Sequence, residues 1–416
     1  MTTARLAETG EANRPALPEF IAIIASMMAL AALSIDIMLP ALSDISEDLG
    51  LANENDRQLV ITLYLFGFAA GQLFYGPLSD RFGRKPILMI GLLLYAAASL
   101  ATLFVEDFGL LLAARALQGA GCAAPRVIAI AVVRDLFGGR QMARVMSFVM
   151  MVFIVVPVIA PTIGDGLLYL GDWHLIFGFL TAAAVAILLL TVLRLPETRA
   201  RELRAPLSIK WLAGAMRTII TTRQTFGYTV AIGFIFGCLM SYINSAQQIL
   251  EGIYELDALF PVVFGAIAIA LAGASITNSA LVERHGMRRM SHGALIGFVL
   301  VAAIHAGIAI SWDGPPPLVL HAGLLAADLF LFGFIMPNFN ALAMEPLRAI
   351  AGTGSSFIGF FTTGGGALLG WIVGQQFNDT IVPLTVGYLV LSAISLAVVT
   401  FTERGRLFQP HTDHPP

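Results

Sequence analysis

Apolar residues run along this chain in blocks of about twenty, divided by short polar stretches. Residues 1–19 are polar and of mixed charge, with Arg5, Glu8, Glu11, Arg14 and Glu19. Apolar blocks then fall near 20–41, 58–79, 86–104, 109–133, 144–167 and 174–194. A second set falls near 226–249, 261–282, 290–311, 318–343, 353–376 and 380–401. Each is about long enough to cross ~30 Å of hydrocarbon as a helix. The first block exceeds a signal-peptide core and lacks its small-residue cleavage pattern. The pattern therefore predicts an all-α membrane protein of twelve transmembrane helices. The loop 195–225, with Pro196 and Pro206, is the longest after the N-terminal tail. It predicts an N-terminal six-helix bundle (1–194), a cytoplasmic linker (195–225) and a C-terminal six-helix bundle (226–416). Within the linker, 210–223 reads as a short amphipathic helix on the membrane surface.

Composition agrees with that pattern. Of 416 residues, 57% are hydrophobic and 12% charged, against about 25% charged in soluble domains. Mean hydropathy is +0.82. These values exclude a soluble enzyme, a nucleic-acid binder and a disordered scaffold. Net charge is −3, which gives no general attraction to polyanions. The two cysteines, Cys122 and Cys238, lie in apolar runs and suggest neither disulfides nor a metal site.

The basic residues orient the chain. With both termini cytoplasmic, 21 of the 24 Lys and Arg fall on the cytoplasmic side. The opposite loops hold only Arg57, and Arg115 and Arg126 sit inside the fourth span. That asymmetry is the positive-inside rule, and it predicts a multi-pass protein of the bacterial inner membrane. No Walker loop, dinucleotide fingerprint or HExxH occurs, so no cofactor is expected and energy must come from a gradient.

Residues 76–86 read GPLSDRFGRKP. Gly76 and Gly83 permit close approach and unusual backbone angles, and Pro86 suits the first turn of the following helix. Asp80 stands among Arg81, Arg84 and Lys85. A weaker copy, Glu283-Arg-His-Gly-Met-Arg288, follows the eighth span, which points to two parallel six-helix repeats. The first segment matches the G-x-L-S-D-R-x-G-R-[KR] signature of the major facilitator superfamily. LSIDIMLP (33–40), the whole of 58–86, RALQGAGCAAPR (115–126), PVIAPTIG (157–164), LPET (195–198) and NFNALAMEP (338–346) extend the likeness. Together they resemble the bicyclomycin/chloramphenicol-resistance (Bcr/CflA) branch of drug:proton antiporters. The resemblance implies that helices 1, 4, 7 and 10 line a cavity, that 2, 5, 8 and 11 join the halves, and that 3, 6, 9 and 12 face lipid. It also implies that Asp80 and its arginines hold the second and eleventh helices together when the inner side closes.

Four charged residues lie deep within spans: Asp36 in the first, Arg115 and Arg126 in the fourth, Asp328 in the tenth. All fall in the cavity class, as intramembrane charge should. Asp36 and Arg115 have similar depth, and unpaired charge is costly there, so a pair is expected. Burial favours a neutral acid and a guanidinium favours a charged one, which suits a carboxyl that binds and releases protons. The resemblance makes Arg115 a pivot of proton coupling; a permanent ion pair fixing helix packing is the plainer alternative. Gln118 and Cys122 share roughly the face of Arg115 and Arg126. For Arg126, a salt bridge or carbonyl contact stands beside a substrate role. Asp328 reads as a cavity residue with a hydrogen-bond partner or as a second protonation site, with His321 two turns earlier and His305 nearby. Pro157 and Pro161, with Gly164 and Gly166, should bend and thin the fifth span. Asp165 interrupts that small-residue run. Met28 stands where some drug antiporters carry a second carboxylate, which leaves proton stoichiometry open. A cavity wall of Phe153, Tyr242, Asn244, Gln247 and Asn338 would bind ligand by area plus a few polar contacts.

The expected function is proton-coupled efflux of small amphipathic or drug-like molecules by alternating access. The expected form is a monomer in the lipid bilayer, with protons and substrate as partners and no nucleic acid. A metabolite exporter or symporter on the same fold is the first alternative. A membrane receptor is the second, although the tail after the last span is too short for an output domain.

Overall fold

The computed structural model describes residues 16–137, 139–199 and 209–409. Twelve long helices stand among them, and no strand is found there. The first six are α1 (Leu17–Asp36), α2 (Leu59–Phe82), α3 (Arg84–Ala101), α4 (Phe108–Leu136), α5 (Gly139–Leu170) and α6 (His174–Arg194). The second six are α7 (Arg223–Gln247), α8 (Phe260–His285), α9 (Met287–Ser311), α10 (Leu318–Met344), α11 (Ala351–Gly374) and α12 (Val382–Thr402). Eleven of the twelve carry stretches long and apolar enough to cross a membrane; the described apolar part of α5, Val155–Leu170, is shorter. The linker contains the short helix Ile209–Thr221, close to the expected amphipathic segment.

Local chemistry sets the ends. Pro18 occupies the first turn of α1, where its missing N–H costs nothing. Asp107 caps α4, its carboxylate accepting from Leu110 N at 2.9 Å. Gly83 closes α2 at φ 106°, a value that an L side chain resists, and this lets α3 begin at once. Gly286 does the same between α8 and α9 at φ 81°. The first apolar block departs from a single span. α1 stops at Asp36, a 3-10 turn follows at Leu39–Ala41, and a short helix runs Leu42–Asp48. Pro40 supplies a reason, since its ring and missing N–H break the ladder. α5 keeps its helix through Pro157 and Pro161 and is longer than its apolar block.

Packing repeats with an offset of six helices. α1 packs on α5 as α7 packs on α11, and α2 on α4 as α8 on α10. α3 packs on α4 and α6 just as α9 packs on α10 and α12. The halves meet along two seams, α2 with α11 and α5 with α8. At the second seam Gly265 of α8 lets the chain approach Val158 of α5. The outward faces of α3, α6, α9 and α12 expose Ile90, Leu193, Leu300 and Phe401, a surface that hydrocarbon rather than water solvates.

α2 and α4 lie backbone against backbone. A Cβ on Gly119 would overlap the Tyr64 carbonyl oxygen, and one on Gly67 would overlap that of Ala116. Neither backbone atom can move without shifting its helix. Gly119→Ala is therefore expected to cost about 1–3 kcal/mol or more. A lowered Tm of the purified protein in detergent checks this, and an unchanged Tm would contradict the close packing.

Candidate functional site

Both described chain ends and the α2–α3, α4–α5, α6–α7, α8–α9 and α10–α11 connections lie on one face, here the terminal face; the opposite one is the far face. A cavity of about 450 Å³ lies between the halves. It is lined by α1, α2, α4, α5, α7, α8, α10 and α11, and by Arg84 at the start of α3. The wall is largely apolar, with Leu65, Phe68, Phe236 and Phe264 among its residues. Toward the terminal face it reaches Asp80, Arg84, Arg134 and Ser355, of which Arg134 and Ser355 are exposed. At the other end it stops below Ile37–Ala41, all fully buried. The cavity is thus open to the terminal face and shut to the far face.

Asp36 stands at the closed end, 4% exposed and part of the wall. Its position follows from the break in α1, which makes it the last helical residue. Tyr242, stacked on Phe264 with centroids 5.4 Å apart, lies close enough to feel its charge. Arg126 shares the wall. Inward of the charged mouth formed by Asp80, Arg84 and Arg134, the cavity therefore offers one acid and one base on a mostly apolar surface, a suitable receptacle for an amphipathic molecule.

The expected pair of Asp36 with Arg115 does not form. Arg115 is fully buried behind the wall. Its Nε donates to Val60 O at 2.9 Å, one terminal nitrogen to Ser34 O at 3.0 Å, and the other to Gln118 Oε1. The guanidinium also lies 4.6 Å from the centre of the Tyr64 ring. The break in α1 gives the reason. Met38 N bonds to Ile35 O, so Ser34 O loses its i+4 amide and takes Arg115 instead. Asp36 itself has no ion pair among the described residues.

Other polar candidates also lie outside the wall. Gln118 is held by Arg115 and by Ser99 Oγ at 2.5 Å. Gln247 donates to Pro40 O at 3.1 Å, and Asn338 to Asn278 Oδ1 at 2.8 Å. Asn244 and Asp328 are buried away from the cavity. The expected hydrogen-bond partner of Asp328 is absent among the described residues. A polar residue inside a span reveals its depth but not which helix claims it. Tyr242, Arg126, Gly76, Asp80, Arg84 and Pro157 do line the cavity. Pro161, Arg81 and Gly83 do not, and the side chain of Phe153 lies outside the described residues.

The glycine-arginine turn after α2 is the hub of a charged cluster on the terminal face. Arg84, almost fully buried, reaches Asp80 at 2.8 Å, Asp135 at 2.9 Å and Ser79 Oγ at 2.7 Å. Glu197, just past α6, accepts from the backbone amides of Arg84 at 2.9 Å and Lys85 at 3.2 Å. Those amides begin α3, where a carboxylate is favoured. Gly76 holds α2 near α11, since a Cβ there would lie 2.8 Å from Ser356 Oγ. The second half repeats the plan. Arg288 reaches Glu403 at 3.1 Å and Glu345 at 3.6 Å, and Tyr228 donates to Glu403 at 2.6 Å. Asp135 lies in the last turn of α4 and Glu345 just past its counterpart α10, while Glu197 and Glu403 follow α6 and α12. These four acids were not singled out by sequence; the repeated DRFGRK and ERHGMR segments were the available signal.

The far face is fastened by neutral amides. Gln58 donates to Gln248 Oε1 at 2.8 Å and to Gly374 O at 3.0 Å. Gln248 donates to Asn55 Oδ1 at 2.6 Å, Asn55 to Phe377 O at 3.1 Å, and Gln375 to Asn55 O at 2.8 Å. Each bond crosses from one half to the other. Removing the first three with Gln58→Leu and Gln248→Leu together is expected to cost this closure about 3 kcal/mol, roughly a hundredfold in population. An impermeant maleimide should then label an Ala41→Cys reporter faster than in the parent. Equal labelling would show that the amides do not hold the far face.

Comparison with known proteins gives the same fold. The family profile described as "Major Facilitator Superfamily" matches residues 24–370. A "Bicyclomycin resistance protein homolog" of Haemophilus influenzae is 30% identical over 401 residues, covering 92% of this chain and 96% of its own. The "Multidrug resistance protein MdtL" of Shewanella oneidensis is 29% identical, with 89% and 93% covered. Among solved structures, a partially occluded inward-open form of the xylose transporter XylE from E. coli superposes with a TM-score of 0.72 at 12% identity, covering 96% of this chain and 99% of its own.

Proposed function

The chain belongs to the major facilitator superfamily, and from that premise we propose that it is a proton-coupled exporter of small drug-like molecules. The single observation that carries this reading is the cavity: apolar, closed at one end on Asp36, and open to the terminal face. The printed names of the relatives, bicyclomycin and multidrug resistance, support the substrate class.

The terminal face is cytoplasmic in this proposal, because the basic residues gather there. The protein works as a monomer in the lipid bilayer of the bacterial inner membrane. Its moving bodies are 1–194 and 226–416, joined by 195–225. In the present state, substrate enters from the cytoplasm and lies against Phe68, Tyr242 and Phe264, with Arg126 nearby. Its arrival at Asp36 displaces the proton held there. The far-face amides then part while the terminal face closes, with Asp80, Arg81, Gly83 and Arg84 keeping α2 and α11 in register. The prolines of α5, Pro157 and Pro161, ease sliding along the seam with α8. Substrate leaves outward, an external proton reloads Asp36, and the cavity returns. Arg115 acts indirectly, by fixing the end of α1 and therefore the place of Asp36.

A transport screen in proteoliposomes with a proton readout tests the proposal. Bicyclomycin, chloramphenicol and lipophilic cations should move with opposed proton flux, while sugars and amino acids should not. Sugar or amino-acid transport alone, or cargo moving together with protons, would overturn it.

A further inference from the structure

The second half holds an acid that the cavity does not reach. Asp328, in the middle of α10, is 0% exposed. Neither carboxyl oxygen meets a hydrogen-bond partner among the described residues. No cation pairs with it among them either. A buried carboxylate without donor or counter-charge is expensive, and the neutral acid avoids most of that cost. An acid kept only for packing would be improved by an apolar side chain of similar volume.

Its surroundings supply proton carriers rather than charges. Cys238 of α7 and Tyr388 of α12 lie within electrostatic reach of Asp328. Tyr388 is in turn within reach of Tyr242, and Tyr242 of Asp36. The hydroxyls of Tyr242 and Tyr388 are buried and have no hydrogen-bond partner among the described residues. The other neighbours of α10 add no countercharge at this level. α8 has no titratable side chain before Glu283, and α11 has none. On α9, His305 is bonded to His321 of α10 at 3.0 Å. Glu345 and Arg348 lie beyond the terminal end of α10. Asp328 and the hydroxyls of Tyr242 and Tyr388 are therefore buried groups with unused hydrogen-bonding capacity.

We infer that Asp328 is a second proton-carrying residue, which takes up and releases a proton during the exchange cycle. The exchange cycle then returns one proton more than Asp36 alone carries. The transfer balances without any redox partner. A proton added to one carboxylate oxygen of Asp328 makes the neutral carboxyl, and its release restores the carboxylate. The inference rests on the reading of Asp36 as the proton site in the cavity.

Infrared difference spectroscopy of the full chain in lipid vesicles tests it without any substrate. At neutral pH the neutral-carboxyl stretching band of the parent should contain a component that Asp328→Asn removes and Asp36→Asn leaves. Asp328→Glu, which keeps an acid if the asparagine variant fails to fold, should shift that component rather than remove it. With bicyclomycin as exported probe, reversal of flux under imposed gradients should give one proton fewer per molecule for Asp328→Asn. A band unaltered in both Asp328 variants, or an unchanged proton ratio, overturns the inference. If Asp36→Asn keeps driven exchange while Asp328→Asn loses one proton, the Asp36 reading fails and the Asp328 assignment stands.

Discussion

Asp36→Asn protein is expected to bind substrate and to exchange it downhill, yet to lose accumulation driven by a proton gradient. Asp36 stands at the closed end of the cavity with 4% exposure and no ion pair among the described residues. Asparagine has nearly its shape and matches the neutral acid in charge, so packing at the end of α1 should survive. An amide has no proton to exchange at ordinary pH. Substrate and proton then lose their shared site, and driven transport should fall to the level of counterflow. Counterflow of labelled substrate, compared with uptake under an imposed pH gradient, separates the two. Preserved driven uptake would remove Asp36 from the coupling step.

Arg115→Ala should damage the protein more broadly. The guanidinium ties α1 through Ser34 O, α2 through Val60 O, and its own helix α4 through Gln118. Alanine leaves the Ser34 carbonyl without a donor and takes the side-chain donor from Val60 O in a site that water does not reach, and it empties the space over Tyr64. Hydrogen bonds to charged groups contribute about 1.5–3 kcal/mol each, so a loss of roughly 3–5 kcal/mol is expected. Arg115→Lys keeps the charge, but a point ammonium cannot reproduce the planar fork that meets acceptors on three helices. The lysine variant should therefore be intermediate in Tm and still impaired in transport. Thermal unfolding in detergent and counterflow check both variants. A lysine variant with parental transport would show that charge alone, not the fork, is required.

The twelve helices were legible because a membrane span must satisfy its backbone internally, which makes each apolar block a helix. The turn at Gly83 was legible because few residues adopt its backbone angles and because its charged neighbours keep a fixed spacing. The partner of Arg115 was not. Depth alone placed Asp36 and Arg115 together, whereas the choice was made by where α1 ends. The break before Pro40 frees a carbonyl at Ser34, and a buried guanidinium takes it. The cavity wall was legible only in part. Hydropathy places Gln247 and Asn338 inside spans, but Pro40 O and Asn278 claim them before the cavity can. The far-face network was not legible because single Asn and Gln residues at the ends of spans carry no spacing signal. Their meaning depends on bringing Asn55 and Gln58 against Gln248 and Gln375, which lie in opposite halves. Asp135, Glu197, Glu345 and Glu403 were hidden for a related reason: each sits in the last turn of, or just past, a different helix, and only the six-helix repeat relates them.

The most direct measurement of the central claim is vectorial transport in vesicles whose terminal face points outward. With the lumen made acidic, bicyclomycin should accumulate inside while the lumen loses protons, and Asp36→Asn protein should show neither. Accumulation that requires an alkaline lumen, or that proceeds without proton movement, would contradict proton-coupled export.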